Sequence, residues 1–472
     1  MTFQIFDKSD NSLYINNKLT FSNFIRQSFE VVNPGADYLP NWHIDAIAEY
    51  LEAARESKIT RLVINMPPRT LKSVCVTVAW PAWLLGNDPK TRIMAASYST
   101  TLSLKHALDT RLIVSSDRFK AHFPECMIER GENQKHKFVT TARGFRFATS
   151  VGGTATGEGG DILIVDDPLN PSQAMSKTRR DHANNWFDQT FSTRLNNKKT
   201  GRIVVVMQRL HPEDLSGHLL AKGGWEQLKL PAIAETQHSI YLGDLLLKTR
   251  HAGEPLHTER EDMALIERAK NDLGSFAFAA QYQQEPLHTD SAMLSSHWLQ
   301  RYDRLPETFT RVVQSWDTAI KAEAKNDASV CITFGEYEHN HYIIDVLSLR
   351  AEYPELKRTV IEQAARWDVN SVLIEDKASG QSLLQDLKRE TNLPLVARNP
   401  KSDKLTRFAA ITAMIEAGRL HLPKQAPWLT DFETELLSFP HVPHDDQVDS
   451  LTQYFNWLRE RQVNQHQIRR LT

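Results

Sequence analysis

A chain of 472 residues is too long for one ordinary hydrophobic core, so two or three domains are expected, and a hydrophobic fraction of 41% is enough to fill them. The balance of 56 basic and 58 acidic side chains excludes a polybasic protein, so any contact with nucleic acid must come from local patches. Cys75, Cys126 and Cys331 stand far apart with no CxxC pair, which argues against a zinc site or disulfide framework and fits a reducing, cytoplasmic compartment. The longest nearly apolar run, Val76 to Leu85, is ten residues and contains Pro81, too short to span a bilayer, and the amino terminus lacks the pattern of a signal peptide.

In chain order, "HIDAIAEYLEAARES" from His43 places Ile44, Ile47, Leu51 and Ala54 at helical spacing and leads into an apolar strand, "RLVINM". A turn and a helix follow. "TRIMAASYS" reads as a second strand, "LSLKHALDTRLIVS" as a helix and "GRIVVVMQRL" as a later strand, the alternation of a parallel α/β sheet. Ligands of such sheets sit beyond the carboxyl ends of the strands. One of those ends is the turn "MPPRTLKS", Met66 to Ser73.

A phosphate loop needs inward-pointing N–H groups, a lysine for the terminal phosphates and a hydroxyl for Mg²⁺. Pro67, Pro68, Arg69, Thr70 and Leu71 would form the cradle, with Lys72 and Ser73 supplying the lysine and hydroxyl. Glycine usually opens such a loop and precedes its lysine because the turn needs unusual backbone angles. Met66 and Leu71 hold those places, so taken alone the stretch also reads as a proline-stiffened turn. "DILIVDDPLN" is a buried strand with Asp166 and Asp167 at its tip, either a solvated turn or the partner of a phosphate loop. In the second case Asp166 holds Mg²⁺ and Asp167 polarises the attacking water. Just before it, "SVGGTATGEGG" has five glycines in eleven residues, as a mobile loop over phosphates would. Gln208 and Arg209 leave the tip of "GRIVVVM", where a side chain that senses a γ-phosphate is expected.

The pattern changes after about Gln284, and residues 291–310 read as a linker between a domain over 1–290 and another over 311–472. "RVVQSWDTA" is a strand carrying Asp317, and "ASVCITFGEYEHNHYIIDVLSLR" is two strands joined by a polar turn. A helix around "PELKRTVIEQAARW" then leads to "VNSVLIEDKASG", a strand ending in Glu375. Three adjacent strands, a helix, a fourth strand and further helices is the order of a ribonuclease H-like fold. Asp317, Glu375 and the Asp445, Asp446, Asp449 cluster at a late helix start would then converge, although Asp and Glu are also common at element ends. Carboxylates gathered without a basic partner repel one another unless divalent metal lies between them.

Together these stretches resemble the large terminase subunits that package DNA into tailed-phage capsids. The resemblance rests on "MPPRTLKS", "GGTATGEGGDILIVDDP", "MQRLHPEDLSG", "FAAQYQQEP", "SWDTA", "LIEDKASG" and "HDDQVDS", in that family's order across about four-fifths of the chain. It implies an α/β protein, a P-loop NTPase domain with an ASCE-type parallel sheet followed by a ribonuclease H-like nuclease domain. It further implies ATP-driven translocation of double-stranded DNA into a procapsid and metal-dependent cutting of concatemers. ATP and Mg²⁺, for which Mn²⁺ substitutes in the nuclease, are the implied cofactors. A portal protein, a small terminase subunit and further copies in a ring are the implied partners, in the cytoplasm of a bacterial host and with no membrane.

By the same resemblance Lys72 and Ser73 take the phosphates and metal, Arg69 lies near the γ-phosphate, and Trp42 and His43 of "NWHIDA" contact adenine. Asp317, Glu375 and Asp446 bind the nuclease metals, with Asp445 the alternative third ligand. Glu158 stands where many members have arginine, so an arginine given to a neighbouring subunit must come from elsewhere, Arg143 or Arg146. Two other readings stay open: a helicase or translocase whose second domain only binds DNA, and a capsid-associated scaffold that keeps the fold of a decayed motor. Basic runs at Lys177 to Arg180 and Arg194 to Arg202 are either DNA-backbone contacts or solvated faces.

Overall fold

The computed structural model describes residues 19–153, 157–287, 293–319, 328–377, 379–400, 402–442 and 444–469. Thr154 to Thr156 of the glycine-rich stretch lie outside the described residues. Two sheets organise the chain, one of eight strands and one of seven.

The first sheet runs in the spatial order Ile128–Asn133, Lys137–Thr140, Phe145–Ser150, Arg92–Ser97, Ile162–Asp166, Arg202–Met207, Arg61–Asn65, Glu226–Lys229. From Phe145–Ser150 onward every neighbouring pair is parallel; the first two strands are antiparallel additions. Leu62 to Ile64, Ile162 to Val165 and Val204 to Val206 are fully buried, as strands covered on both faces must be. The register sets Ser97 and Val206 opposite Asp166, and Asn65 opposite Met207. One edge of the sheet therefore carries the phosphate-loop candidate, the Asp166–Asp167 pair and Gln208 side by side. The strand Arg202–Met207 lies between the loop strand and the acidic strand, the ASCE arrangement expected from the sequence.

In the second sheet the order is Gln300–Tyr302, Leu420–Pro423, Asn340–Leu349, Ser329–Tyr337, Arg311–Asp317, Ser371–Glu375, Leu395–Arg398. The three long strands are antiparallel neighbours, and Arg311–Asp317 pairs in parallel with Ser371–Glu375. This is the mixed sheet expected of a ribonuclease H-like domain. Gln300–Tyr302, read as linker from the sequence, is an edge strand here, and Leu294 and Leu299 are buried in the second core. The period-two signal of a three-residue strand is too short to read.

A helix over Met263–Gln281 leads from one sheet to the other and breaks at Gly274, whose φ of 77° and ψ of 158° suit only glycine. A Cβ there would stand 3.0 Å from Cα of Ala413, on the second domain's helix Lys404–Glu416. Beyond the break Ser275 donates its backbone N–H to Glu416 at 2.7 Å and its hydroxyl to the same carboxylate, so the two domains are tied helix to helix.

Candidate active sites

The turn after Asn65 is stiffened by Pro67 and Pro68 and closed by the Thr70 hydroxyl, which donates to the Pro67 carbonyl at 2.7 Å. On the outer side His43 Nε2 lies 3.2 Å from the Thr70 carbonyl oxygen, joining the start of the helix Trp42–Arg55 to the loop. Arg69 and Leu71 are left-handed, with φ of 63° and 65°. The conformation that favours glycine before the lysine is thus present, and a leucine adopts it. Met66 has no positive φ and is fully buried, so the first missing glycine is not needed.

Lys72 is buried and its Nζ pairs with Asp167 Oδ2 at 2.9 Å. The Ser73 hydroxyl donates to Asp166 Oδ1 at 3.1 Å. Gln208 donates its backbone N–H to Asp167 Oδ1 at 3.2 Å, while its buried Oε1 has no hydrogen-bond partner among the described residues. Burial raises the pKa of Asp166 and of Asp167, opposed chiefly by the Lys72 charge. All the residues expected to handle phosphate, metal and water therefore meet at one sheet edge. Arg69 is exposed at the loop's tip. The Trp42 ring is flanked by Arg250 and Lys248 at 5.8 Å and 5.9 Å from its centroid, and burial holds the His43 imidazole down to about 3, neutral.

The second cluster stands at the ends of two parallel strands. Trp316 pairs with Ile374, so Asp317 and Glu375 leave the sheet together. The helix Asp446–Arg469 is pinned across them: Ser315 Oγ donates to the Ser450 carbonyl at 2.8 Å, Ser450 Oγ to the Ser315 carbonyl at 2.7 Å, and Gln453 Nε2 to Ser315 Oγ at 2.9 Å. That crossing brings Asp446 and Asp449 over Asp317. Burial first, then the charges of Asp449, Asp446 and Glu375, push the Asp317 carboxyl up to about 8.

Asp317, Glu375, Asp446 and Asp449 line one cleft of about 510 Å³ together with Lys404 and Arg407; Asp445 does not line it. Lys404 Nζ reaches Asp445 at 2.6 Å and Asp449 at 2.7 Å, and Arg407 Nη2 reaches Asp449 at 2.5 Å. Among the described residues no three His, Cys, Asp or Glu side chains are already drawn close enough to share one ion. Asp317 and Glu375 from the sheet and Asp446 and Asp449 from the helix nevertheless give oxygen donors to a single cleft, so the residues fit a divalent cation. Sequence reasoning did not find Lys404 and Arg407; their spacing of three at a helix start was the available signal.

Other expectations need correction. Arg146 is fully buried and cannot reach a neighbouring subunit, whereas Arg143 is exposed in the turn before its strand. Glu158 pairs with Lys137. In the run Lys177 to Arg180, Arg180 is buried and donates to the carbonyls of Ala174 and Met175 at 2.9 Å and 2.7 Å, a structural role rather than a DNA contact. No helix among the described residues is long and apolar enough to cross a membrane.

Residues 314–457 match the family described as "Terminase RNaseH-like domain". Across 91% of this chain and 98% of its own length, the large terminase of a thermophilic bacteriophage superposes with a TM-score of 0.50 at 9% identity. The HK97 bacteriophage large terminase covers 92% of this chain and 99% of its own at 13% identity, with a TM-score of 0.38. The zinc-bound large terminase nuclease of thermophilic phage G20c covers 35% and 94% at 17% identity, with a TM-score of 0.27. No curated protein matches by sequence.

Proposed function

From a terminase RNase H-like domain over residues 314–457 and the fold of a phage large terminase over nearly the whole chain, we propose that this protein is a DNA-packaging ATPase and endonuclease. It would move double-stranded DNA through a portal into a procapsid, as a ring of copies guided by a small terminase subunit, in the cytoplasm of an infected or lysogenic bacterium. The observation that carries the reading is the pairing of two sites in one chain: Lys72, Ser73, Asp166 and Asp167 on the first sheet, and Asp317, Glu375, Asp446 and Asp449 on the second.

In the first site the buried Lys72 is held ready by Asp167. A triphosphate draws the ammonium to itself and leaves Asp167 free to accept a proton from water. The raised pKa of Asp167 suits that task, and the Gln208 N–H orients the carboxylate. Arg69, exposed at the loop's tip, would supply charge to the γ-phosphoryl group as it passes to water and ADP leaves. Asp166 and Ser73 would hold the Mg²⁺ of the nucleotide.

In the second site Asp317 and Glu375 would hold metal from the sheet and Asp446 and Asp449 from the helix. Mg²⁺ or Mn²⁺ bound there supplies an activated water and neutralises the leaving oxygen of a phosphodiester. Arg407 and Lys404, released from Asp449, would meet the DNA backbone. The test is a pair of substitutions in the full chain. Lys72→Ala abolishes ATP hydrolysis and spares plasmid cutting, while Asp317→Ala does the reverse. Plasmid cutting by Asp317→Ala at the parental rate would show that the nuclease site lies elsewhere. A strand-separation assay addresses the helicase reading, which predicts unwinding where packaging predicts none.

A further inference from the structure

Beneath the phosphate loop, buried polar groups that the ATPase chemistry described above does not use lie around Asp166. Asp166 is fully buried, and while its Oδ1 accepts from Ser73, its Oδ2 has no hydrogen-bond partner among the described residues. Facing that oxygen is His106 Nδ1, 3.5 Å away, on the helix Thr100–Ser115 that covers this side of the sheet. His106 is 5% exposed, and its Nδ1 likewise lacks a hydrogen bond among the described residues. On the strand Phe145–Ser150 under the same helix, Arg146 is 0% exposed with none of its three guanidinium nitrogens bonded among the described residues. Asp166 leads the charges that act on it, followed by Asp109.

A buried guanidinium without bonds, and single unbonded atoms of a buried imidazole and carboxylate, are costly unless they serve one another; the Thr77 hydroxyl also acts on the Asp166 carboxylate. Lys72 already answers Asp167. A small rotation of the Asp166 carboxylate brings Oδ2 within hydrogen-bond reach of His106 Nδ1. Metal-binding carboxylates are commonly fixed by such outer partners, which set the angle at which the free lone pairs meet the ion. In a neutral imidazole one ring nitrogen carries the proton, and a proton on Nδ1 points along the 3.5 Å line to Asp166 Oδ2.

We infer that His106 is a positioning residue for the nucleotide's metal ion: its Nδ1–H fixes Asp166 Oδ2, leaving Oδ1 and the Ser73 hydroxyl for the ion. This rests on the ATPase reading and assigns one residue to it that the sequence motifs do not contain.

The test measures Mn²⁺ binding to the full chain by electron paramagnetic resonance with a non-hydrolysable ATP analogue present, and binding of that analogue in EDTA by calorimetry. His106→Leu weakens Mn²⁺ binding by about 10- to 100-fold and leaves metal-free analogue binding unchanged. His106→Asn, whose amide nitrogen falls near the place of Nδ1, restores the affinity, and His106→Gln, whose amide falls near Nε2, does not. In an Asp166→Asn background His106→Leu adds no further loss.

A merely structural histidine would lower both affinities together and give Asn and Gln the same result, and either outcome overturns the inference. If His106→Leu does not fold, the Asn and Gln pair decides alone. Mn²⁺ affinity unchanged by Asp166→Asn would instead refute the nucleotide-site assignment itself. Affinity lost in Asp166→Asn but intact in His106→Leu refutes only the positioning role.

Discussion

Leu71 offers the sharpest test of the phosphate loop, because its backbone conformation and its side chain pull in opposite directions. At φ of 65° an L-residue carries about 1–2 kcal/mol of steric cost that glycine does not. Glycine in turn loses about 0.5–1 kcal/mol more backbone entropy on folding than alanine. Leu71 is also half-buried against the first core, so truncation removes packing in either case. Comparing Leu71→Gly with Leu71→Ala cancels most of that packing loss and leaves the backbone difference, a net advantage to glycine centred near about 0.7 kcal/mol. The usual order in a helix or strand is the opposite. In calorimetric melting the nucleotide-sensitive transition of Leu71→Gly should lie about 1–4 °C above that of Leu71→Ala. Arg69, at φ of 63° with an exposed side chain, should show the same order with less packing loss. An alanine variant as stable as the glycine variant at position 71 would refute the left-handed loop, and with it the explanation of how a leucine stands where glycine is usual.

Further outcomes follow from the second site and the domain junction. Asp317 has a folded-state pKa raised to about 8 from an ordinary carboxylate value, so the folded protein binds its proton more tightly than the unfolded chain does. In EDTA its contribution is therefore present at acid pH and is lost as pH rises from about 4 to about 8, at no more than about 1.4 kcal/mol per pH unit. Asp317→Asn should flatten that decline and melt higher than the parent at pH 8; an unchanged pH profile would count against the carboxylate cluster. Asp445→Asn should keep DNA cutting near the parental level while Asp449→Asn loses it by at least about 100-fold, since of these two only Asp449 lines the cleft; equal losses would restore Asp445 as a ligand. Gly274→Ala places a Cβ 3.0 Å from Ala413 at a φ of 77°, which costs about 1–3 kcal/mol. It should expose the Ser275–Glu416 junction to faster hydrogen exchange without changing exchange in either sheet, and unchanged exchange at that junction would contradict the contact.

Several features of this protein are written in the chain itself. Asp166 and Asp167 end an apolar strand, and Asp317 and Glu375 end two others that are largely apolar, because a charged side chain is accommodated where a buried strand emerges. Lys72 and Ser73 were legible because a lysine and a hydroxyl beside a strand tip have a known partner chemistry. These are local relations, and neighbours in sequence suffice to state them. Tertiary structure alone decided the rest. That Asp446 and Asp449 line the cleft and Asp445 does not follows from the phase of one helix, which is set by Ser450 and Gln453 crossing the strand of Ser315. The salt bridge of Arg407 to Asp449 and the approach of His106 to Asp166 join residues distant in the chain, and the burial of Arg146 and Arg180 places charge where composition predicts exposure. A hydrophobic pattern fixes which face of an element is buried, whereas the distances between elements come from packing that no single segment encodes.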